Sequence, residues 1–491
     1  MLNKKNIHII LCIFLSLLAF YITPHNEYAN APAVASLIVL MAYLWVSELI
    51  PLAVTALIPI VFLPLVGVSK LNEITSFYGK PIIFLFLGGF LLAIAIQKTG
   101  LHKRIALFLL NKIGDKPHQL VLGFMVSTAL LSMWISNTAS VMVMMPVGLS
   151  VLETAKNNGI QGKIMKHFGL GIMLGIAYAA DIGGMVTPIG TPPNLVFLEM
   201  YNQLFPNLPA IRFVDWIIMI FPMSVIFLFF GWLILTKLVF KIPDQQILGG
   251  KNVIKKRYNE LGKITSDEKR AGIIFLIAII LWITGSNIEI GKSITFTGWR
   301  SWLNIPEFKD ASVAIFTAIL LFIIPSSKEK NQSVLVWEDA KQVPWGILLL
   351  FGGGLALAGG FQQSGLSDIV GNLFASMHIG SPSVAVFSVS LMITFLTEFT
   401  SNTAITTLIL PIIAEASIAL NIDPRLLMIP ATLSASCAFM MPVASPTQAI
   451  VFGSGYVSIK NMIKGGLLFN LLGVFIISFL FLLLGTAILG I

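Results

Sequence analysis

The hexapeptide Trp134-Ile135-Ser136-Asn137-Thr138-Ala139 returns 265 residues later as Phe399-Thr400-Ser401-Asn402-Thr403-Ala404. The same shift carries Gly88-Gly89 onto Gly353-Gly354, Gly100-Leu101 onto Gly365-Leu366, and Pro146 onto Pro411. Motifs that recur in register imply a duplicated fold, with equivalent residues at equivalent places. The surroundings narrow the choice further. Hydrophobic residues make up 56% of the 491 and charged residues 11%, with a mean hydropathy of +0.90. No water-soluble domain has that balance. The chain is an all-α polytopic membrane protein, and a polar triplet placed twice at membrane depth marks a site shared between two halves.

Apolar runs suited to crossing the bilayer cover 7–22, 34–46, 221–238, 273–283, 311–324 and 467–484. The first, behind Lys4 and Lys5, reads as a retained helix. It is long for the core of a signal peptide, and no small-residue cleavage site is evident near Thr23-Pro24. Cys12 and Cys437 both lie in apolar segments and point to neither a disulfide framework nor a metal cluster.

The net charge of +9 does not point to nucleic acid, because of where it sits. Lys237, Lys241, Lys251, Lys255, Lys256, Arg257, Lys263, Lys269 and Arg270 share one polar segment between apolar runs, which places that segment in the cytoplasm. The repeats also differ in charge. The first carries Lys98, Lys103, Arg104, Lys112 and Lys116 after its Gly-Gly pair, whereas residues 363–382 of the second hold no Lys or Arg. The two copies are therefore expected to insert in opposite senses. The expected division is a first helix over 1–32, repeat 1 over 33–240, a basic cytoplasmic linker over 241–270 and repeat 2 over 271–491. About eleven spans, plus re-entrant hairpins at 119–155 and 383–418, put the N-terminus in the cytoplasm and the C-terminus outside the cell membrane. Non-helical backbone at that depth is tolerated only where protein or a cavity surrounds it.

A third shared element is Thr187-Pro188-Ile189-Gly190-Thr191-Pro192-Pro193-Asn194, matched by Met441-Pro442-Val443-Ala444-Ser445-Pro446-Thr447-Gln448. Proline cannot continue a helix undisturbed, so each box predicts a helix broken inside the membrane. Freed carbonyls coordinate cations, and helix N-termini attract anions. Hydroxyls, carboxamides and carbonyls are hard neutral oxygens suited to an alkali cation rather than a transition metal. Ser132 and Thr397 precede Ser136 and Ser401 by one helical turn, so both hydroxyls of each pair can address one ion.

With its paired Ser-Asn-Thr triplets, its Gly190-Thr191-Pro192-Pro193-Asn194 box and the run from Pro344 to Gly354, the chain resembles the divalent anion:sodium symporters over nearly its whole length. The resemblance implies one sodium ion held by Ser132, Ser136, Asn137 and Gly190, and a second by Thr397, Ser401, Asn402 and Ala444. It implies substrate carboxylates against Asn137, Thr138, Asn402, Thr403, Ser445 and Pro446, and a homodimer working by an elevator movement. The expected cargo is a small dicarboxylate such as succinate, malate or fumarate. The second box departs from the Thr-Pro-Pro-Asn of many dicarboxylate carriers, and Thr447 regains an amide donor that proline lacks. An exchanger, or a carrier of sulfate or tricarboxylates, remains open.

Three acids lie near membrane depth. Glu48, before Ile50-Pro51, belongs at an interface; Asp181 and Glu398 are functional candidates, since a buried carboxylate is costly. Glu398 adjoins the second triplet where repeat 1 has Met133, and a role in tuning the ion site or carrying a proton follows as a hypothesis. Gly352 to Gly354 suit close helix packing better than a ligand loop. The motifs hold no Lys or Arg, so positive charge for a dianion has to come from bound sodium and helix ends, with sodium binding first. Two sodium ions per dianion move no net charge, whereas a third would add about 2.3 kcal/mol per 100 mV. An intramembrane enzyme is disfavoured: there is no His-Glu-x-x-His helix and no Ser-Lys or Asp-Asp arrangement in the motifs. A channel fits two broken-helix repeats less well than alternating access does.

Overall fold

The computed structural model describes residues 4–24, 28–112, 114, 116–242, 250–290, 294–329, 331–375 and 381–491. Residues 243–249 of the basic segment and 376–380 of the charge-poor stretch lie outside the described residues. The protein is an all-helical, multi-span membrane protein. Eight of its described helical segments are long and apolar enough to cross a bilayer, and several shorter apolar helices accompany them.

The first half runs α1 (Lys4–Ile22), α2 (Ala31–Ser47), α3 (Leu52–Thr55), α4 (Ile58–Leu65), α5 (Leu71–Phe77) and α6 (Pro81–Thr99). It continues with α7 (Leu101–Lys112), α8 (Pro117–Ser132), α9 (Asn137–Asn157), α10 (Gly162–Gly184), α11 (Pro192–Leu204) and α12 (Phe213–Leu233). The polar helix α13 (Gly250–Glu260) leads to the second half, which opens with α14 (Ser266–Ile283). A small ribbon of β1 (Ile288–Ile290) and β2 (Ile294–Phe296), paired antiparallel, is the one sheet among the described residues. Then follow α15 (Trp299–Trp302), α16 (Asp310–Ile323), α17 (Trp345–Gln363), α18 (Leu366–Ala375), α19 (Pro382–Leu396) and α20 (Asn402–Ala419). The chain ends with α21 (Pro424–Ala435), α22 (Pro446–Phe452), α23 (Ile459–Leu480) and α24 (Thr486–Leu489).

The shared motifs become matched corners. Pro117 and Pro382 start α8 and α19, and Pro192 and Pro446 start α11 and α22. Proline suits a first turn because its missing N–H has no partner there in any helix. Gly100 and Gly365 close α6 and α17 with φ of 89° and 74°, a left-handed conformation that strains any residue with a Cβ.

The halves interlock by exchanging a helix. The α6 helix packs chiefly against α16 and α14 of the second half, while α17 packs against α2, α3, α4 and α5 of the first. Small residues permit the approach. A Cβ on Gly88 would lie 2.5 Å from the carbonyl carbon of Ala314, and one on Gly353 would lie 2.7 Å from Ala56 Cα. Ala56 sits where α3 gives way to α4, and its carbonyl accepts a hydrogen bond of 2.5 Å from the Tyr78 hydroxyl. The Gly352–Gly354 run is thus a packing surface: Gly352 meets Tyr78, Gly353 meets Ala56 and Gly354 meets Thr407.

Forcing a side chain into backbone allows little relief, so Gly353→Val should cost more than the ~1–3 kcal/mol usual for overpacking. We expect its melting temperature in detergent to fall by several degrees, to about the same extent as for Gly88→Val. An unchanged melting temperature in both would contradict the interlock.

Candidate functional site

The site is built from two hairpins and two broken helices. In each hairpin a helix ends just before the triplet and another begins on its asparagine: α8 and α9 around Ser136, α19 and α20 around Ser401. Ser136 and Ser401 are extended N-cap residues, and Ser136 Oγ accepts from the Ala139 amide at 3.3 Å. The triplet therefore sits at a helix N-terminus, where unsatisfied N–H groups leave partial positive charge.

Behind each tip the same bond recurs. Ser132 Oγ donates to Asn137 Oδ1 at 2.7 Å, and Thr397 Oγ1 donates to Asn402 Oδ1 at 2.8 Å. Each buried hydroxyl is thereby held beside its carboxamide oxygen. Thr397 Oγ1 also donates to the Ala435 carbonyl at 2.9 Å, at the point where α21 ends.

The proline boxes break their helices as expected. The α10 helix stops at Gly184 and α11 starts at Pro192; α21 stops at Ala435 and α22 starts at Pro446. The freed main chain is satisfied differently in the two halves. In the first, Asn194 Nδ2 donates to the carbonyls of Gly184, Met185 and Thr187, and Thr187 Oγ1 donates to the Met133 carbonyl at 2.5 Å. In the second, the Glu398 carboxylate accepts from the amides of Phe439, Met440 and Met441 and from Asn470 Nδ2, at 2.7–3.0 Å. Met133 and Glu398 are equivalent positions, so one anchor point is served by a carbonyl in one half and a carboxylate in the other.

Hairpins and breaks converge on one cavity of about 1040 Å³. Ser136, Asn137 and Thr138 line it from one side, Ser401, Asn402 and Thr403 from the other. Gly190, Ala444, Ser445 and Pro446 also line it, so every expected substrate contact faces one hollow. Ser132 and Thr397 do not reach the wall; both are fully buried one layer behind it. Among the described residues no Lys, Arg or His lines the cavity. Phe86, Phe90 and Ala93 from α6 and Ile347 and Leu350 from α17, unanticipated from sequence, add an apolar part to its lining. Glu48, the left-handed C-cap of α2, stands at its edge with Gln97 and Gln342.

Two features depart from symmetry. The first concerns packing: Trp134 meets Phe275 edge-on at 5.3 Å and is half-buried, as is Ile189 beside Gly89, whereas their counterparts Phe399 and Val443 are 70% and 75% exposed; Ile189, Phe399 and Val443 all line the cavity. The second is Asp181, 1% exposed, whose carboxylate joins Asn137 to Thr447 and Gln448. The sequence marked Asp181 only as an acid at membrane depth. The available signal was the mismatch between Pro193-Asn194 and Thr447-Gln448 in otherwise matched boxes.

Residues 3–490 match the family described as the sodium:sulfate symporter transmembrane region. The chain is 41% identical over 481 residues to the sodium-dependent dicarboxylate transporter SdcS of Staphylococcus saprophyticus, covering 97% of this chain and 90% of that protein. It is 43% identical over 438 residues to the protein of the same name from Staphylococcus aureus, covering 88% and 82% respectively. In fold it is similar to the Alcanivorax borkumensis YdaH transporter, with a TM-score of 0.58 at 13% identity over 98% of each chain. The Neisseria gonorrhoeae MtrF structure gives 0.56 at 14% identity, covering 98% of this chain and 95% of that one.

Proposed function

Because the chain belongs to the sodium:sulfate symporter family, we propose that it imports small dicarboxylates together with sodium ions by alternating access. The observation that carries this reading is one cavity lined by both triplets and both proline boxes yet holding no cationic side chain among the described residues. A doubly negative guest there needs positive charge from elsewhere. Ser132, Ser136, Asn137 and the Gly190 carbonyl hold one sodium ion; Thr397, Ser401, Asn402 and the Ala444 carbonyl hold the other. Asn137, Thr138, Asn402, Thr403, Ser445 and Pro446 then receive the carboxylates, assisted by the N-termini of α9, α11 and α20. Ion and substrate affinities are reciprocally coupled in such a site.

The unequal packing of the two tips supports alternation. Trp134 is docked on Phe275 while its counterpart Phe399 faces open space, and the opposite state exchanges these roles. With repeats 33–240 and 271–491 inserted in opposite senses, the linker 241–270 and the N-terminus in the cytoplasm and the C-terminus outside, the cavity opens inward. Its edge carries Gln97, next to the Lys98–Asp339 ion pair on the basic side. A homodimer moving its hairpins as an elevator completes the reading.

Proteoliposomes should accumulate labelled succinate when an inward sodium gradient is imposed, and should lose most of that uptake when potassium replaces sodium. Competition by malate and fumarate, but weakly by citrate and sulfate, is the expected panel. Uptake indifferent to sodium, or sulfate as the strongest competitor, would overturn this assignment.

A further inference from the structure

Asp181 lies three residues before the end of α10, buried at the cavity wall, and its partners are all neutral donors. Asn137 Nδ2 donates to Oδ1 at 3.1 Å and Gln448 Nε2 to Oδ2 at 3.1 Å; Thr447 Oγ1 lies 3.1 and 3.0 Å from the two oxygens. Both oxygens therefore act as acceptors only. The bonds also orient what they touch. The Asn137 carboxamide gives its nitrogen to Asp181 and its oxygen to Ser132, which turns that oxygen toward the first ion set. On the other side, Thr447 and Gln448 follow directly on Ser445 and Pro446, and Ser445 Oγ lies 2.5 Å from Thr447 Oγ1.

The repeat shows that this bridge is particular. Asp181 corresponds to Ala435 when the boxes are superposed, since Thr187 matches Met441. Thr447 and Gln448 correspond to Pro193 and Asn194, and Asn194 turns its amide to the main chain of its own break instead. The first box thus closes on itself, whereas the second reaches across to the other half.

We propose that Asp181 is a positioning residue that couples the two sodium sites. It fixes the amide of Asn137 in the first and the box carrying Ala444 and Ser445 in the second. This rests on the sodium-coupled reading above. Ordering either site through this carboxylate orders the other, so sodium binds cooperatively across the midline of the molecule.

The test is a sodium titration of succinate uptake. Asp181→Asn must turn an amide nitrogen toward Asn137 or Gln448, setting donor against donor. We expect the half-saturating sodium concentration to rise about tenfold or more, as when a group behind a metal ligand is lost. The Hill slope should fall toward one, with succinate KM at saturating sodium little changed. In the D181N background, Thr447→Pro with Gln448→Asn removes the Thr447 hydroxyl and draws the opposed amide back by one methylene, and should recover part of the sodium affinity; in the unaltered chain the same pair should weaken it. If D181N does not reach the membrane, Thr447→Val, which removes a single donor, should shift the sodium curve in the same direction. A D181N protein with unchanged half-saturation and slope, or a T447V protein with an unshifted curve, overturns the proposal. Absence of sodium dependence in the unaltered transporter would overturn the sodium-coupled reading instead.

Discussion

Glu398→Ala is expected to leave little folded protein to extract from the membrane. The Glu398 side chain is 1% exposed and satisfies the amides of Phe439, Met440 and Met441 where the second broken helix has none of its own carbonyls to offer. Each buried N–H left without an acceptor costs ~1–3 kcal/mol, so three together approach the ~5–15 kcal/mol that separates a folded chain from an unfolded one. Asn470 loses its partner as well. Glu398→Gln keeps one oxygen but presents an amide nitrogen to backbone donors, and an intermediate loss is expected. Size-exclusion profiles and melting temperatures in detergent measure this directly. Wild-type yield and melting temperature for the alanine variant would show that the carboxylate is not the anchor described. Because its bonds go to the main chain of the break, Glu398 acts on the shape of the second half; the ion-tuning or proton-carrying role considered from sequence gains no contact in support.

Removing a triplet carboxamide should instead spare the fold and abolish transport. Asn137→Ala and Asn402→Ala each delete an oxygen held 2.7–2.8 Å from a buried hydroxyl at the cavity wall. A hydrogen bond to a charged group contributes ~1.5–3 kcal/mol, and each 1.4 kcal/mol is a factor of ten, so losing the proposed ion ligand and the proposed substrate contact together predicts uptake down by at least about 100-fold. Asn137→Ala should be the worse of the two, since it also strips Asp181 of one donor. Initial rates in proteoliposomes, normalised to reconstituted protein, provide the measure. Either variant retaining more than half of wild-type uptake would sink the assignment of the triplets as ligands.

What could be read from the chain was what it says twice. The triplets, the hydroxyls one turn before them, the proline breaks and the Gly100 and Gly365 corners all occur in matched pairs and all stand at matched places. The Gly352–Gly354 run was legible as a packing surface because glycine inside a membrane helix has little other use. The bridge from Asp181 to Thr447 and Gln448 was not, for it joins residues 266 and 267 apart that the repeat does not relate. Sequence drew attention to the amide that Thr447 regains, whereas the structure employs its hydroxyl. The role of Glu398 was hidden for another reason: its principal partners are peptide N–H groups, which every residue but proline possesses. The apolar lining from α6 and α17 could not be singled out where most residues are apolar. Hydropathy also miscounts spans, because a broken helix such as α21 with α22 runs in pieces of 12 and 7 residues, too short to register.

The traded helices α6 and α17 carry a further meaning. Each half places one long helix on the other half's framework, with Gly88 against Ala314 and Gly353 against Ala56. Under the opposite insertion proposed for the halves, an ancestor encoding one copy could have covered that surface only with a sister molecule lying upside down beside it. On that proposal, the seams of α6 on α14 and α16 and of α17 on α2 to α5 preserve, within one polypeptide, the handshake of two formerly separate subunits.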